Sequence, residues 1–330
     1  MRKLYFLVPG TTGKFGGGGL WAELNTCHLA QQICEAEVVT YRQREAHQTF
    51  LADILPHCDR TSVIFIIGWG FDVPKVIAQL PEQNIIYHAH SSSYGFTLPP
   101  DVPIITVSRN TMGYWGEKAA GSLIYYLPNQ ISDEFCHLER VRDIDILVQT
   151  RKSSEYLLQQ LVPALQDDYR VEIIDSYVND LAGLFNRSKI YLYDSAEYWA
   201  TAGVTEGFGL PPLEALACGC HVFSSVNHGL ADYLDPGFNC HKIAGYSLDY
   251  DLLRIKQVLQ LSPPTDFDWL QEYRRDRLTV RLEFILREIN QFFDLKPNLT
   301  PSPKNLDFWR IQQLKSKRLW TKISQKLKQK

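Results

Sequence analysis

No apolar run in this chain reaches the length of a bilayer span, which excludes a membrane-crossing helix on sequence grounds. The opening MRKLYFLVPG carries two basic residues, but its apolar run is too short for a secretory signal and reads as a first strand. Cysteine pairing is also missing: the seven cysteines are odd in number and scattered, and no Cys-x-x-Cys occurs. Cys218 and Cys220 flank one glycine, a spacing that suits neither a zinc finger nor a disulfide staple, so a reduced, cytoplasmic setting is expected. There is no basic excess either. The net charge is −3, and residues 304–330 hold nine Lys/Arg against one Asp (+8), which leaves −11 on the rest. A nucleic-acid binder needs its basic footprint on the folded surface, so no nucleic-acid partner is expected. Neither a Walker loop nor a G-x-G-x-x-G fingerprint is present, because Phe15 follows Lys14 where Ser or Thr is needed and the glycine spacing is wrong.

What is present is a repeated alternation. KLYFLV, AEVVT, SVIFII, NIIYHA and PIITVS are short β-branched strands separated by helical or loop segments, with SLIYYLP closing the half. After the polar stretch ISDEFCHLERVRD the pattern restarts with DILVQT, RVEIID and KIYLYD. This predicts an α/β chain of two doubly wound, Rossmann-like domains with a cleft between them. The expected units are residues 1–138 on the acceptor side and 139–294 on the nucleotide side. A Pro-rich linker, 295–303, and a basic amphipathic tail helix, 304–330, would follow.

The strongest local signal is TEGFGLPPLEALACGCHVFSS, Thr205 to Ser225. A Gly-Phe-Gly turn and a Pro pair precede a helix, whose first amides have no intrahelical partner and suit an anion. Glu206 is expected on the entry loop and Glu214 one turn into the helix, two carboxylates able to hold hydroxyls at both ends of one ligand. A solvated helix start would also favour glutamate, for dipole reasons. Gly16 to Gly19 after the first strand imply backbone close to something bulky or anionic, against the alternative of a plain surface loop. NIIYHA places His88 and His90 on one face, with His90 at the strand end beside Ser91 to Ser93. Arg151 and Lys152 after DILVQT supply cations at a helix start, a diphosphate site or an ordinary exposed basic pair. No third ligand at metal-binding spacing accompanies the two histidines, so no metal is expected.

These residues together resemble glycosyltransferase family 4, retaining nucleotide-sugar transferases of the GT-B fold. EGFGLPPLEALACG is similar to that family's signature of two glutamates separated by seven residues. The likeness runs from residue 1 to about 294 and takes in the glycine loop, His90, VSRNTMGYW and the strand-end arginine. It implies that Glu206 binds the sugar's 3- and 4-hydroxyls and that Gly207, Phe208, Gly209 and Leu210 present backbone to sugar and diphosphate. It implies that Glu214 holds the ribose, Arg151 neutralises the phosphate and His90 contacts the 6-hydroxyl, with Gly17 and Gly18 lining the opposite wall. The family's lysine a few residues past the arginine is absent; Tyr156 and Leu157 stand there, and Lys152 is the neighbouring substitute. The nucleotide-sugar is then a substrate and no cofactor is needed. Cations and helix-start amides can carry the leaving charge without metal, and front-face attack accounts for retention.

The tail sets Phe308, Trp309, Leu319, Trp320, Ile323 and Leu327 on one stripe opposite Arg310, Lys315, Lys317, Arg318, Lys322 and Lys328. That pattern suits an anionic membrane surface, so a peripheral location at the inner face and a glycan or lipid-linked acceptor are expected. Docking of the tail on the first domain, or a disordered basic end, are the competing readings. Two other functions stay open at this point: a nucleotide-sugar epimerase of the same architecture, and a non-catalytic sugar-nucleotide scaffold.

Overall fold

The computed structural model describes residues 1–264, 266–299 and 308–328. Residues 300–303 of the expected linker, and 304–307 and 329–330 of the tail, lie outside the described residues.

Each run of buried aliphatic residues becomes a parallel strand, as expected when both faces of a sheet are covered. The first sheet holds β1 (Lys3–Val8), β2 (Ala36–Thr40), β3 (Thr49–Phe50), β4 (Val63–Ile67), β5 (Ile85–Ala89), β6 (Ile104–Thr106) and β7 (Ile124–Tyr126). Their spatial order is β3-β2-β1-β4-β5-β6-β7. The second sheet holds β8 (Ile144–Gln149), β9 (Val171–Ile174), β10 (Ser188–Tyr193), β11 (His221–Ser224) and β12 (His241–Lys242), in the order β12-β11-β10-β8-β9. The register pairs Phe6 with Val38 and Ile66 in one sheet, and Ile190 with Ile146 and His221 in the other. Chain direction across each sheet reverses once, between β1 and β4 and between β8 and β10. Such switch points open a crevice at the carboxyl ends of the strands. They place the glycine loop and Trp69 on one wall, and Arg151, Lys152 and Ser195 on the other.

One segment departs from the expected boundary at residue 294. The helix Arg275–Leu295 lies in the stretch assigned to the second domain, yet its apolar face covers the first sheet. Leu278, Leu282, Ile285, Leu286, Ile289 and Phe293 pack with Leu4, Phe6, Ile64 and Ile86. Polar contacts fix the docking: the Arg2 backbone amide donates to Asn290 Oδ1 at 3.0 Å, and the Arg2 guanidinium meets Asp294 at 2.7 Å. The return crossing lies beside the outward one, with Arg274 donating to the carbonyls of Ser132 and Phe135 at 2.8 and 2.6 Å. Sequence periodicity showed the helix but not its partner, because an amphipathic stripe carries no address.

The terminal helix Phe308–Lys328 forms, but it does not cover the first domain: every position from Ile311 to Gln325 is exposed. The docking considered for the tail is instead made by Arg275–Leu295. No helix among the described residues is long and apolar enough to cross a membrane.

The packing of Arg275–Leu295 has a measurable consequence. Leu286→Ala removes a fully buried side chain from the first domain's core and should cost about 2–5 kcal/mol. The loss should appear as faster hydrogen exchange in β1 and β5 rather than in β8 and β10; the reverse pattern would return this helix to the second domain.

Candidate active site

The cleft narrows to one backbone contact. A β-carbon at Gly207 would lie 1.5 Å from the His90 carbonyl oxygen, so only glycine allows the two domains to meet here. Next to it, Ser91 Oγ donates to the Thr205 carbonyl at 2.6 Å and accepts from the Thr205 amide at 3.2 Å. The Ser92 amide donates to Thr205 Oγ1 at 3.1 Å. The serine run after β5 is therefore fastened to the loop that carries Glu206.

Glu206 is buried, 4% exposed, and is held from several sides. Its Oε2 accepts from Tyr193 Oη (2.7 Å), Trp199 Nε1 (2.7 Å) and Ser195 Oγ (3.2 Å). Its Oε1 faces Lys152 Nζ at 3.4 Å. One oxygen is thus saturated by the protein, while the other keeps acceptor capacity toward the cleft. Lys152 has left-handed backbone (φ 69°), a conformation costing about 1–3 kcal/mol outside glycine. Its ammonium lies 4.3 Å from the Trp199 ring centre. Burial pulls its pKa below the ordinary lysine value, against the opposing pull of Glu206.

A cavity of about 460 Å³ collects most of the expected site. His90, Arg151, Lys152, Glu206, Gly207, Phe208, Gly209, Leu210, Gly17 and Gly18 all border it. The cavity has the size of a small-ligand site, with a few converging polar groups. Phe208 contributes less than expected, because its ring is core, 5.4 Å from Tyr233 and 5.8 Å from Tyr273 between centroids. A second, more apolar cavity of about 370 Å³ adjoins it through His90, Trp69, Tyr94, Tyr198 and Trp199.

Glu214, expected to hold the other end of the same ligand as Glu206, lies outside this cavity. Pro211 borders the space but Glu214 does not. It is the fifth residue of the helix Leu210–Ala217, beyond the first turn, and half-buried, with no side-chain hydrogen bond from the described residues. Burial, with the Glu134 carboxylate nearby, raises its pKa to about 8.

Sequence reasoning missed the partners. Tyr193 closes β10, and Ser195 and Trp199 follow at once in DSAEYWA, so an aromatic-rich stretch after a strand end was the available signal. It also missed Glu23. This residue sits on the buried face of the helix Gly18–Ala30, and its Oε2 lies 2.7 Å from His88 Nδ1 and 2.5 Å from His90 Nε2. Among the described residues these three alone bring metal-ligand-type atoms together, within 4.8 Å. Their short separations are those of hydrogen bonds; ligand atoms around a tetrahedral ion with bonds near 2.0–2.1 Å would lie about 3.3 Å apart.

The architecture defines the class first: two doubly wound domains facing across a cleft, the GT-B fold. Residues 153–260 match the family model described as glycosyl transferases group 1. HepE of Anabaena, solved with UDP and glucose, aligns over 90% of this chain and 100% of its own at 14% identity, with a TM-score of 0.54. The sucrose-phosphate synthase of Thermosynechococcus elongatus covers 91% and 100% at 13% identity, TM-score 0.55. A glycosyltransferase involved in avilamycin A biosynthesis covers 88% and 98% at 14% identity, TM-score 0.61. Among curated proteins none matches.

The raised pKa of Glu214 sets a pH dependence. In the unfolded chain this carboxyl ionises near its ordinary 4.5, whereas in the fold it keeps its proton to about 8. The folded state binds the extra proton between those values, so stability falls as pH rises through that window. Glu214→Gln should flatten this slope in thermal unfolding followed from pH 5 to 8; an unchanged slope would mean that Glu214 titrates normally.

Proposed function

We propose that this protein is a retaining, metal-independent hexosyltransferase of the family 4 type, moving a sugar from a nucleotide donor to a glycan or lipid-linked hydroxyl. The observation that carries the proposal is the convergence of Glu206, Lys152, Arg151 and His90 on one interdomain cavity beside the glycine-led start of helix Leu210–Ala217. The match to the group 1 family model and the GT-B fold support it, and HepE, of that fold, was solved with UDP.

In this reading the sugar lies against Glu206. Its Oε1, which faces Lys152 alone among the described residues, accepts from a sugar hydroxyl, while Tyr193, Ser195 and Trp199 keep the carboxylate from rotating. Arg151 and Lys152 take the diphosphate, joined by the amides of Gly207 and Gly209. As the anomeric bond breaks, negative charge grows on the leaving phosphate, and fixed cations stabilise that change more than the ground state. Lys152 lies near Glu206 before donor arrives and supplies the charge expected from the absent family lysine. Glu206 is tied down by several donors, which suits a hydroxyl anchor better than a mobile covalent nucleophile. Attack from the leaving-group face then gives retention, with the departing phosphate taking the acceptor's proton. Gly17 and Gly18 border the same cavity from the first domain. A donor longer than the cavity continues along Leu210–Ala217, where Glu214 would meet the ribose.

The acceptor enters the adjoining aromatic cavity. The exposed terminal helix pairs Leu319, Trp320 and Ile323 with Lys315, Lys317, Arg318 and Lys322 and has no acid between Phe308 and Lys328. It is matched in charge to an anionic lipid surface, which would hold the enzyme at a membrane's inner face next to a lipid-linked acceptor.

Two measurements test this. A donor present at a hundred times its Kd should stabilise the wild-type protein by about 2.7 kcal/mol in thermal-shift screening of sugar nucleotides. Glu206→Gln should then lower turnover about 10- to 150-fold, the equivalent of about 1.5–3 kcal/mol for a charged hydrogen bond. Donor hydrolysis or transfer with inverted anomeric configuration by NMR would overturn the retaining mechanism. For the tail, vesicles containing anionic lipid should sediment the full chain but not a chain ending at residue 303, and equal sedimentation would refute the membrane role.

A further inference from the structure

The glutamate on the first helix is the feature that the proposed function leaves unexplained. Glu23 is 3% exposed and belongs to the helix leaving the glycine loop, whereas His88 and His90 belong to β5 and its end. Two imidazoles meet one oxygen of one buried carboxylate at the edge of the second cavity. Each contact is within hydrogen-bond distance, and the two rings lie 4.2 Å apart between centroids. The histidines hold the Glu23 pKa down to about 2 despite burial, so the carboxylate is ionised at neutral pH. An ionised carboxylate only accepts, so both nitrogens that face it must carry protons.

That requirement fixes the tautomer. His88 is protonated on Nδ1. His90 is protonated on Nε2, and burial, aided by His88, lowers its pKa, which keeps the ring neutral. A neutral ring with Nε2–H has its lone pair on Nδ1, and among the described residues Nδ1 of His90 has no hydrogen-bond partner. The His90 ring stands where the donor-side cavity meets the aromatic one. Gly68, whose β-carbon would lie 2.8 Å from Glu23 Oε2 and 3.2 Å from His90 Cδ2, keeps this wall thin enough for the carboxylate to reach both rings.

We propose that Glu23 is a positioning residue: it locks His90 in the Nε2–H tautomer, so that Nδ1 is a hydrogen-bond acceptor for a substrate hydroxyl at the junction of the two cavities. His88 serves as the second donor that keeps Glu23 in register. The proposal rests on the reading that this cleft binds a sugar donor and a hydroxyl acceptor. It adds that the group recognised by His90 must be a donor, a hydroxyl with its hydrogen directed at the ring, and not a carbonyl or phosphate oxygen. A histidine without this support could present either an acceptor or a donor, and would select less well between such ligands.

The tautomer can be read without any activity. Long-range ¹H–¹⁵N NMR of the wild-type protein near pH 7.5, with the His90 ring assigned by its loss in His90→Asn, should show protonation on Nε2. A ring protonated on Nδ1, or doubly protonated, overturns the proposal even if the protein transfers sugar normally. In Glu23→Leu no acceptor faces the two rings, so the His90 signal should move to a mixed or Nδ1–H pattern. Turnover should fall about 10- to 100-fold. The donor KM and donor-induced thermal shift should stay within about twofold, because Arg151, Lys152 and Glu206 are untouched. An unchanged kcat in a folded Glu23→Leu protein would overturn the proposal, as would loss of kcat with the His90 tautomer unmoved. Absence of any transfer by wild-type protein would count against the proposed function while leaving the NMR result to decide the tautomer.

Discussion

The close passage of the Gly207 backbone beside the His90 carbonyl is the constraint on which the site depends. With no room for a β-carbon, the loop that carries Glu206 lies directly on the end of β5. The Ser91 and Ser92 bonds to Thr205 then hold the two loops in line. Everything that converges in the cleft does so because these two chain segments touch. Glu206 and Lys152 come from the second domain, and His90 and the glycine loop from the first. A shift of either domain would separate the carboxylate from the imidazole.

A hierarchy of buried polar groups supports that contact from behind. Glu206 is fixed by Tyr193, Ser195 and Trp199, and His90 by Glu23. In both cases one carboxylate oxygen is occupied by several protein donors, and a group at the cleft surface is left with defined capacity. Partly satisfied charges are costly in a dry interior, so each anchor also contributes to the uniqueness of the fold. The two cavities differ in character in a way that follows from their walls. Trp69, Tyr94 and Tyr198 border both, but Arg151, Lys152 and the start of helix Leu210–Ala217 line only the first, and Phe71 lines only the second.

Much of this was legible in the chain. Alternating apolar strands announced two doubly wound domains, since a strand buried on both faces needs an unbroken apolar run. Glu206, His90, Arg151 and the glycine loop each stood out because strand ends and helix starts in such folds meet ligands. Glu23 was invisible: in LWAEL it looks like an ordinary helical glutamate, and only its packing under β5 makes it a partner of two histidines. For Glu214 the eight-residue spacing sets its distance from Glu206 along the chain but not whether its side chain reaches the same cavity. The helix Arg275–Leu295 was recognised as a helix and placed on the wrong domain, because its apolar stripe would satisfy either sheet.

The sequence by itself determined the elements, their parallel pairing and the residue types available at the strand ends and helix starts. These follow from local periodicity, turn chemistry and charge, which act over a few residues. Only the tertiary structure decided which side chains face one another. Lys152 reaches Glu206, Glu23 clasps His88 and His90, and Gly207 admits the His90 carbonyl. Those pairings span 54, 65 and 67 residues in the first three cases, and 117 between positions 90 and 207. Contacts at such separations are set by how two sheets twist and pack against each other, which no window of sequence encodes.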